Sequence, residues 1–144
     1  MTTHAPLIDA ATDFGARVAA RLQRDNVIWL TTTAADGTPQ PNPVWFLWNG
    51  TEFLIFSKPG QAKVRNLTRQ PRVSLNLNST FDGGDFAIFV GDAHIAAQPA
   101  TPGEIADYTE KYTGGLASLN FTAEQFFGEY NTLIRITPDK LRGY

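Results

Sequence analysis

Hydrophobic and polar positions recur along this chain with two different periods, and the switches between them mark its elements. Phe14, Val18 and Leu22 fall four residues apart, so Thr12 to Arg24 is predicted as a helix with that stripe turned inward. Asn26 to Thr33 (NVIWLTTT) is rich in β-branched and aromatic residues and reads as a strand, closed by an Asp36-Gly37 turn. A second strand is expected near Asn42 to Trp48. Pro39, Pro41 and Pro43 confine its beginning to a sheet edge or an irregular segment, because proline cannot donate to a ladder. Asn49-Gly50 then folds the chain back onto Thr51–Phe56, a strong short-range hairpin signal. That third strand breaks at Ser57-Lys58-Pro59-Gly60 and resumes as a helix over Gln61 to Arg69.

Gln70-Pro71 stops this helix, and Arg72 to Asn78 alternates strictly, with Val73, Leu75 and Leu77 on one side and Ser74, Asn76 and Asn78 on the other. After a loop at Phe81–Asp85, Phe86 to Ala96 is a strand with Gly91 as its bulge or bend. Thr101-Pro102-Gly103-Glu104 combines a capping box with proline at the first helical position, starting a third helix that ends before Gly114-Gly115. Thr122-x-x-Gln125 caps a fourth, short helix through Glu129, and Thr132 to Thr137 is a last strand that Pro138 ends. Short strands joined by tight turns imply antiparallel pairing, and six of them suffice to curl into a small barrel. The fold class expected is mainly β (α+β): a six-stranded antiparallel barrel with flanking helices, one domain over residues 1–144, with residues 1–10 as a mobile N-terminal tail.

One part of the pattern needs a partner. Val44–Trp48 and Phe53–Phe56 are apolar on both faces, whereas an antiparallel sheet usually turns one polar face to water. Helices, a flat ligand or a second subunit must cover the outer face, and for so short a chain a homodimer is the economical cover.

Composition changes the picture in three places. The chain has no cysteine, which excludes disulfides, thiolate metal sites and cysteine nucleophiles together. No apolar run approaches the roughly 18–20 residues of a membrane span, and the N-terminus lacks a basic segment followed by an apolar block, so no membrane span, no signal peptide and a cytoplasmic location are expected. The net charge of −2 argues against a nucleic-acid partner. Its distribution is more telling: between Phe53 and Phe81 stand Lys58, Lys63, Arg65, Arg69 and Arg72 without one acid, whereas acids dominate from Asp82 to Glu129. A short basic stretch in an acidic protein suits a small anion better than a polymer, although a solvated helix face explains the three arginines equally well.

The candidate chemistry lies in that basic stretch. A strand that ends in a Pro-Gly turn and feeds a helix leaves several backbone N–H groups without partners, with the helix dipole behind them. Lys58 and Lys63 stand at this mouth and Ser57 adds a hydroxyl. The corner is expected to hold the phosphate of a flavin-like cofactor. No conventional catalytic constellation accompanies it. His4 and His94 are too few for a triad or a metal site, no nucleophile elbow or phosphate-loop signature occurs, and Asp82 and Asp85 lack a third carboxylate at calcium-loop spacing. No catalytic side chain and no metal ligand are therefore assigned; a cofactor enzyme needs from its protein mainly geometry and field. Tyr130, Asn131 and Tyr144 are candidates for shaping a substrate pocket, with ordinary packing as the alternative for each.

The PNPVWF strand, the NG hairpin, SKPGQAKVRNL and the following QPRVS together resemble the pyridoxamine 5′-phosphate oxidase-like split β-barrel superfamily, and the order of elements agrees over nearly the whole chain. Within it the chain is similar to small actinobacterial flavin/deazaflavin oxidoreductases that use coenzyme F420, whose K-x-x-N-L signature is present as Lys63, Asn66 and Leu67. The resemblance implies an FMN-binding type of split barrel, homodimeric, with a cofactor groove at the subunit interface. It implies that Ser57, Lys58 and Lys63 meet the cofactor phosphate and that the ring lies along Asn42, Pro43, Val44 and Trp45. Gln61, Ala62 and Asn66 complete the implied cofactor-binding set. Trp45 is placed beside the ring and Trp48 in the core. FMN-binding oxidases of the superfamily carry basic residues in the second strand; here Val44–Trp48 has no charge, which favours F420 over FMN. The activity implied is deazaflavin-dependent hydride transfer to an electron-poor small molecule such as an enone or quinone. The alternatives are an FMN-dependent oxidase or flavin reductase, and a non-catalytic protein that sequesters flavin, haem or deazaflavin.

Overall fold

The computed structural model describes residues 6–144, so His4 and the first half of the expected N-terminal tail lie outside it. Helix α1 (Asp13–Arg24) starts where Thr12 accepts a bond from the Gly15 N–H, and it buries Val18 and Leu22, two of the three residues of its apolar stripe. The strands are β1 (Ile28–Thr33), β2 (Pro39–Val44), β3 (Leu47–Trp48), β4 (Phe53–Ser57), β5 (Arg72–Leu77), β6 (Ala87–Ile95) and β7 (Thr132–Gly143). Between them lie α2 (Ala62–Arg69), α3 (Pro102–Lys111), α4 (Thr113–Ser118) and α5 (Ala123–Glu129).

All seven strands form one antiparallel sheet in the order β2-β1-β5-β6-β7-β4-β3. The two edges, β2 and β3, are consecutive in the chain and separated only by Trp45-Phe46. Three Cα steps span at most about 11 Å, so the sheet has to curl until its own edges nearly meet. That makes a barrel split along one seam, with Trp45-Phe46 as a strap across the split. The expected strand Asn42–Trp48 is thereby corrected: its first part pairs with β1 and its last two residues with β4, giving seven strands rather than six.

The last strand also runs further than expected. Pro138 does not end β7, because the register with β6 slips by one residue between Val90 and Gly91. Pro138 sits opposite Gly91, where any side chain would meet the Thr137 carbonyl oxygen at 2.3 Å. Glycine on one strand and a bulge on the other let proline sit within the paired strand.

The barrel interior is filled from both sides of the seam by Ile28, Leu30, Phe46, Phe53, Ile55, Leu75, Phe89, Ile134 and Ile136, with Trp48 packed against them. A second apolar layer lies outside. Leu47, Leu54 and Leu133 meet Tyr108, Tyr112, Leu116 and Phe126 of the α3–α5 segment. The apolar outer face of β3–β4 is thus covered by helices of the same chain, and a second subunit is not required there. α3 ends before Gly114-Gly115, as expected, but those glycines lie within the further short helix α4, and Gly115 makes room for Trp45: a Cβ would stand 2.8 Å from the indole ring.

The α3–α5 layer is clasped to the sheet at one end by ions. Glu104 closes the α3 capping box with Thr101 and also accepts bonds from Arg135 on β7 (2.8 and 2.9 Å) and from Asn49 in the β3–β4 hairpin (3.0 Å). The Arg135 bonds hold its carboxyl down to about 2, against a usual carboxylate pKa of about 4.3. A depressed carboxyl stabilises the fold above its unfolded pKa, and that contribution is lost as pH falls through about 4 toward 2. Glu104→Gln keeps a capping-box side chain but not the charge. It should cost about 1 kcal/mol at neutral pH, on the scale of hydrogen bonds to charged groups. The difference from wild type should shrink below about pH 4 in acid melts; a constant difference would mean that the pairing with Arg135 contributes nothing.

Candidate functional site

The corner between β4 and α2 opens into a cleft of about 600 Å³ that runs along the outside of the barrel seam. Its polar end is built by Ser57, Lys58, Gln61 and Lys63, and its flat wall by Pro43, Val44 and Trp45. Tyr108, Leu119, Phe126 and Tyr130 of the helical layer, with Phe56, form the opposite, aromatic end.

The polar end follows from local sequence. β4 delivers Ser57, which is 1% exposed and donates to the Lys58 carbonyl at 2.9 Å. Gly60 takes a positive φ of 77°, a conformation glycine adopts freely, and turns the chain into α2. Gln61 is the N-cap but makes no side-chain cap bond, and the first turn of α2 holds no acid. The start of the helix beside the cleft is therefore left without a side-chain cap and without an acid to compensate its dipole.

The two lysines differ. Lys58 is half exposed, lies 4.0 Å from the Glu129 carboxylate and 5.4 Å from the centre of the Tyr130 ring. Lys63 is half-buried and forms no ion pair with any described residue, and burial pulls its pKa below the ordinary lysine value. A partly desolvated ammonium beside a free helix N-terminus lacks a negative partner.

The aromatic end is held by the strap. Trp45 stacks on Tyr112 with ring centres 4.4 Å apart and planes 7° from parallel, and more loosely on Phe126 at 5.8 Å. The Tyr112 hydroxyl accepts from the Phe46 N–H (2.8 Å) and lies within bonding distance of the carbonyls of Asn26 (2.8 Å) and Phe46 (3.0 Å). One phenol thus fixes the seam. Lys111 reinforces it, donating to the Phe46 carbonyl at 3.0 Å with its ammonium 3.6 Å from the Phe46 ring centre.

Seven of the ten residues expected to bind cofactor share this cleft: Pro43, Val44, Trp45, Ser57, Lys58, Gln61 and Lys63. Asn42, Ala62 and Asn66 do not line it. Asn66 is 6% exposed and donates to Gln40 (2.7 Å) and Thr32 (3.1 Å), tying α2 to β1 and β2. Trp48 packs inside the barrel, 4.6 Å from Phe53 ring to ring. Of the residues proposed to shape a substrate pocket, Tyr130 lines the cleft; Asn131 does not, and Tyr144 is exposed beyond the far end of β7. His94 is an exposed residue of β6. The sequence reading did not single out Tyr108 and Phe126. Their signal was aromatic pairing at helical spacing, Tyr108 with Tyr112 and Phe126 with Tyr130, which reads as ordinary core until the helices are placed.

A single antiparallel sheet curled on itself, split between its own edges and flanked by helices, defines the split β-barrel class. The chain belongs to the pyridoxamine 5′-phosphate oxidase family, whose profile matches residues 14–143. Solved structures agree in fold. HutZ, a haem storage protein from Vibrio cholerae, is 17% identical with a TM-score of 0.69 over 92% of this chain and 95% of its own. An F420 reductase is 22% identical with a TM-score of 0.66, covering 85% and 94%. The conserved hypothetical protein Rv2991 from Mycobacterium tuberculosis is 23% identical with a TM-score of 0.67, covering 99% and 88%. No curated protein matches the chain in sequence.

Proposed function

We propose that this protein is a coenzyme F420-dependent oxidoreductase that reduces a small, electron-poor acceptor such as an enone or quinone. The observation that carries the reading is Lys63: a half-buried ammonium without a carboxylate partner, at the uncapped start of α2, in a cleft with a flat aromatic wall. Ser57, Lys63 and the α2 N–H groups would take the cofactor phosphate, and Pro43, Val44 and Trp45 would lie along its ring. When bound, the deazaflavin supplies hydride; the protein's part is to bind, orient and exclude water. Family membership and the F420 reductase of similar fold support a flavin or deazaflavin ligand.

The uncharged strap favours F420 over FMN, since no basic side chain from Val44 to Trp48 reaches toward a second anionic or ring-polar group. A haem-storing role, suggested by HutZ, fits less well. The chain has no cysteine, among the described residues no histidine or methionine lines the cleft, and burial raises the Tyr108 pKa, which disfavours the phenolate that a tyrosine ligand to haem would be. Parallel titrations with F420 and FMN, followed by fluorescence, test the assignment. Tighter F420 binding is expected, and stoichiometric FMN binding with none for F420 would replace it by the flavin-oxidase alternative.

The working form proposed is a cytoplasmic homodimer. The outer face of β3–β4 has its helical cover, whereas the outer face of β2-β1-β5-β6 is left half-exposed by the described residues. Trp29, Pro41, Pro43, Ile88 and Val90 share that face by register. Pro43 belongs to both this face and the cleft, so a second copy seated there would wall the cofactor groove. Among the described residues no helix is long and apolar enough to cross a membrane. Sedimentation at micromolar concentration should give twice the chain mass; a monomer would remove the shared groove.

A further inference from the structure

The aromatic end of the cleft contains an unexplained polar atom. Tyr108 is 1% exposed, and its hydroxyl oxygen has no hydrogen-bond partner among the described residues. It is the one buried side-chain oxygen or nitrogen among the described residues left in this state. Its neighbour one helical turn on, Tyr112, is fully engaged with the strap. The Tyr108 ring packs edge-on against Phe56 (4.8 Å) and beside Tyr112 (4.8 Å) and Phe126 (5.8 Å), contacts that phenylalanine would make as well. Packing therefore accounts for the ring and not for the oxygen. An unpaired buried hydroxyl is destabilising, and such groups in folded proteins are few.

We infer that the aromatic end of the cleft is the acceptor site, and that the Tyr108 hydroxyl donates a hydrogen bond to the carbonyl oxygen of a flat, conjugated ketone or quinone held there. The inference deepens the oxidoreductase reading and rests on it for the identity of the reaction. Three features fit the ligand. Tyr108 lines the same cleft as Lys63, but from the helical layer rather than the α2 corner, so an anion at one end leaves the other free. Trp45, Phe126 and Tyr130 give that end of the cleft an aromatic lining against which a planar molecule can pack. Desolvation, the main cause, and the neighbouring Tyr112 and Tyr130 raise the Tyr108 pKa, so the phenol keeps its proton and serves as a donor across the working pH range. A donor placed on a carbonyl that gains negative charge when hydride arrives also favours the reduction itself. The hydroxyl is closed off in the free protein, so the ligand reaches it only if neighbouring side chains move on binding, a change common at binding surfaces.

Tyr108→Phe tests this with 1,4-naphthoquinone and naphthalene, two flat probes that differ in their carbonyl oxygens, titrated by calorimetry into wild type and variant without cofactor. The wild type should prefer the quinone, and the variant should lose about tenfold in quinone affinity with naphthalene changed less than twofold. The melting temperature of the variant should equal or exceed that of wild type, because no bond within the chain is lost. Equal losses for both probes, no loss for either, or a lowered melting temperature would overturn the inference, the last by showing that the hydroxyl has a structural partner. F420 affinity of the variant, measured alongside, should be unchanged. A wild type that ignores F420 yet shows the quinone preference would sink the F420 assignment and leave the carbonyl-binding site standing.

Discussion

Tyr112→Phe should lower unfolding stability by about 2–4 kcal/mol, although it removes a single oxygen. The oxygen is buried and sits where the barrel is weakest. It accepts from the Phe46 N–H at 2.8 Å and faces the carbonyls of Asn26 and Phe46, so it ties the strap to the end of α1 and to α3. The strap cannot use sheet bonding instead, because Trp45-Phe46 lies between the two strands it joins. Phenylalanine would leave the Phe46 N–H buried without an acceptor, at about 1–3 kcal/mol, and forfeit the bond that the phenol donates. Urea unfolding monitored by tryptophan fluorescence measures the loss directly, and Trp45, stacked on Tyr112, should report a loosened seam before the global transition. An unchanged midpoint would show that the strap is held by packing alone. The contrast with Tyr108→Phe, one helical turn away and expected to be neutral or stabilising, separates a phenol that builds the cleft from one that waits for a ligand.

These two tyrosines also show where reading the chain in one dimension stops. Elements set by neighbours in sequence were legible: the Asn49-Gly50 turn, where Asn49 caps the Thr51 and Glu52 N–H groups, and the capping boxes at Thr101 and Thr122. Gly91 was legible as an irregularity, but not what it permits, since the residue that benefits is Pro138 on another strand. The break at Trp45-Phe46 was hidden for a similar reason. Val44 to Trp48 looks like one apolar strand, and only the far-edge pairing of Leu47 and Trp48 with β4 divides it. The doubly apolar face of β4 correctly demanded a cover; three helices supply it, and the face left bare lies across the barrel. At the candidate site, the α2 corner could be read because strand, turn and helix are contiguous. The aromatic end could not, because Tyr108 reaches Phe126, and Phe126 reaches Trp45, only through the tertiary fold.

Lys63→Ala is expected to weaken F420 binding by about 1.5–3 kcal/mol, the scale of one charge-assisted hydrogen bond, or roughly ten- to 150-fold in Kd. The same change at Lys58 should matter less, since that ammonium already has Glu129 at 4.0 Å and stands in solvent. Lys63 has no such alternative, and burial, which pulls its pKa down in the free protein, is relieved by an incoming anion. Two signs follow. Removing Lys63 should not destabilise the free protein, because a partly desolvated, unpaired charge is lost with it. Cofactor affinity should decline at a lower pH than an ordinary exposed lysine would dictate, as the free amine loses its proton early. Fluorescence titrations of wild type, Lys63→Ala and Lys58→Ala from neutral to alkaline pH check all three expectations. Equal effects at the two lysines would describe a diffuse positive surface, whereas an unchanged Kd at Lys63→Ala would empty the α2 corner of its phosphate and move the cofactor, if one binds, elsewhere along the seam.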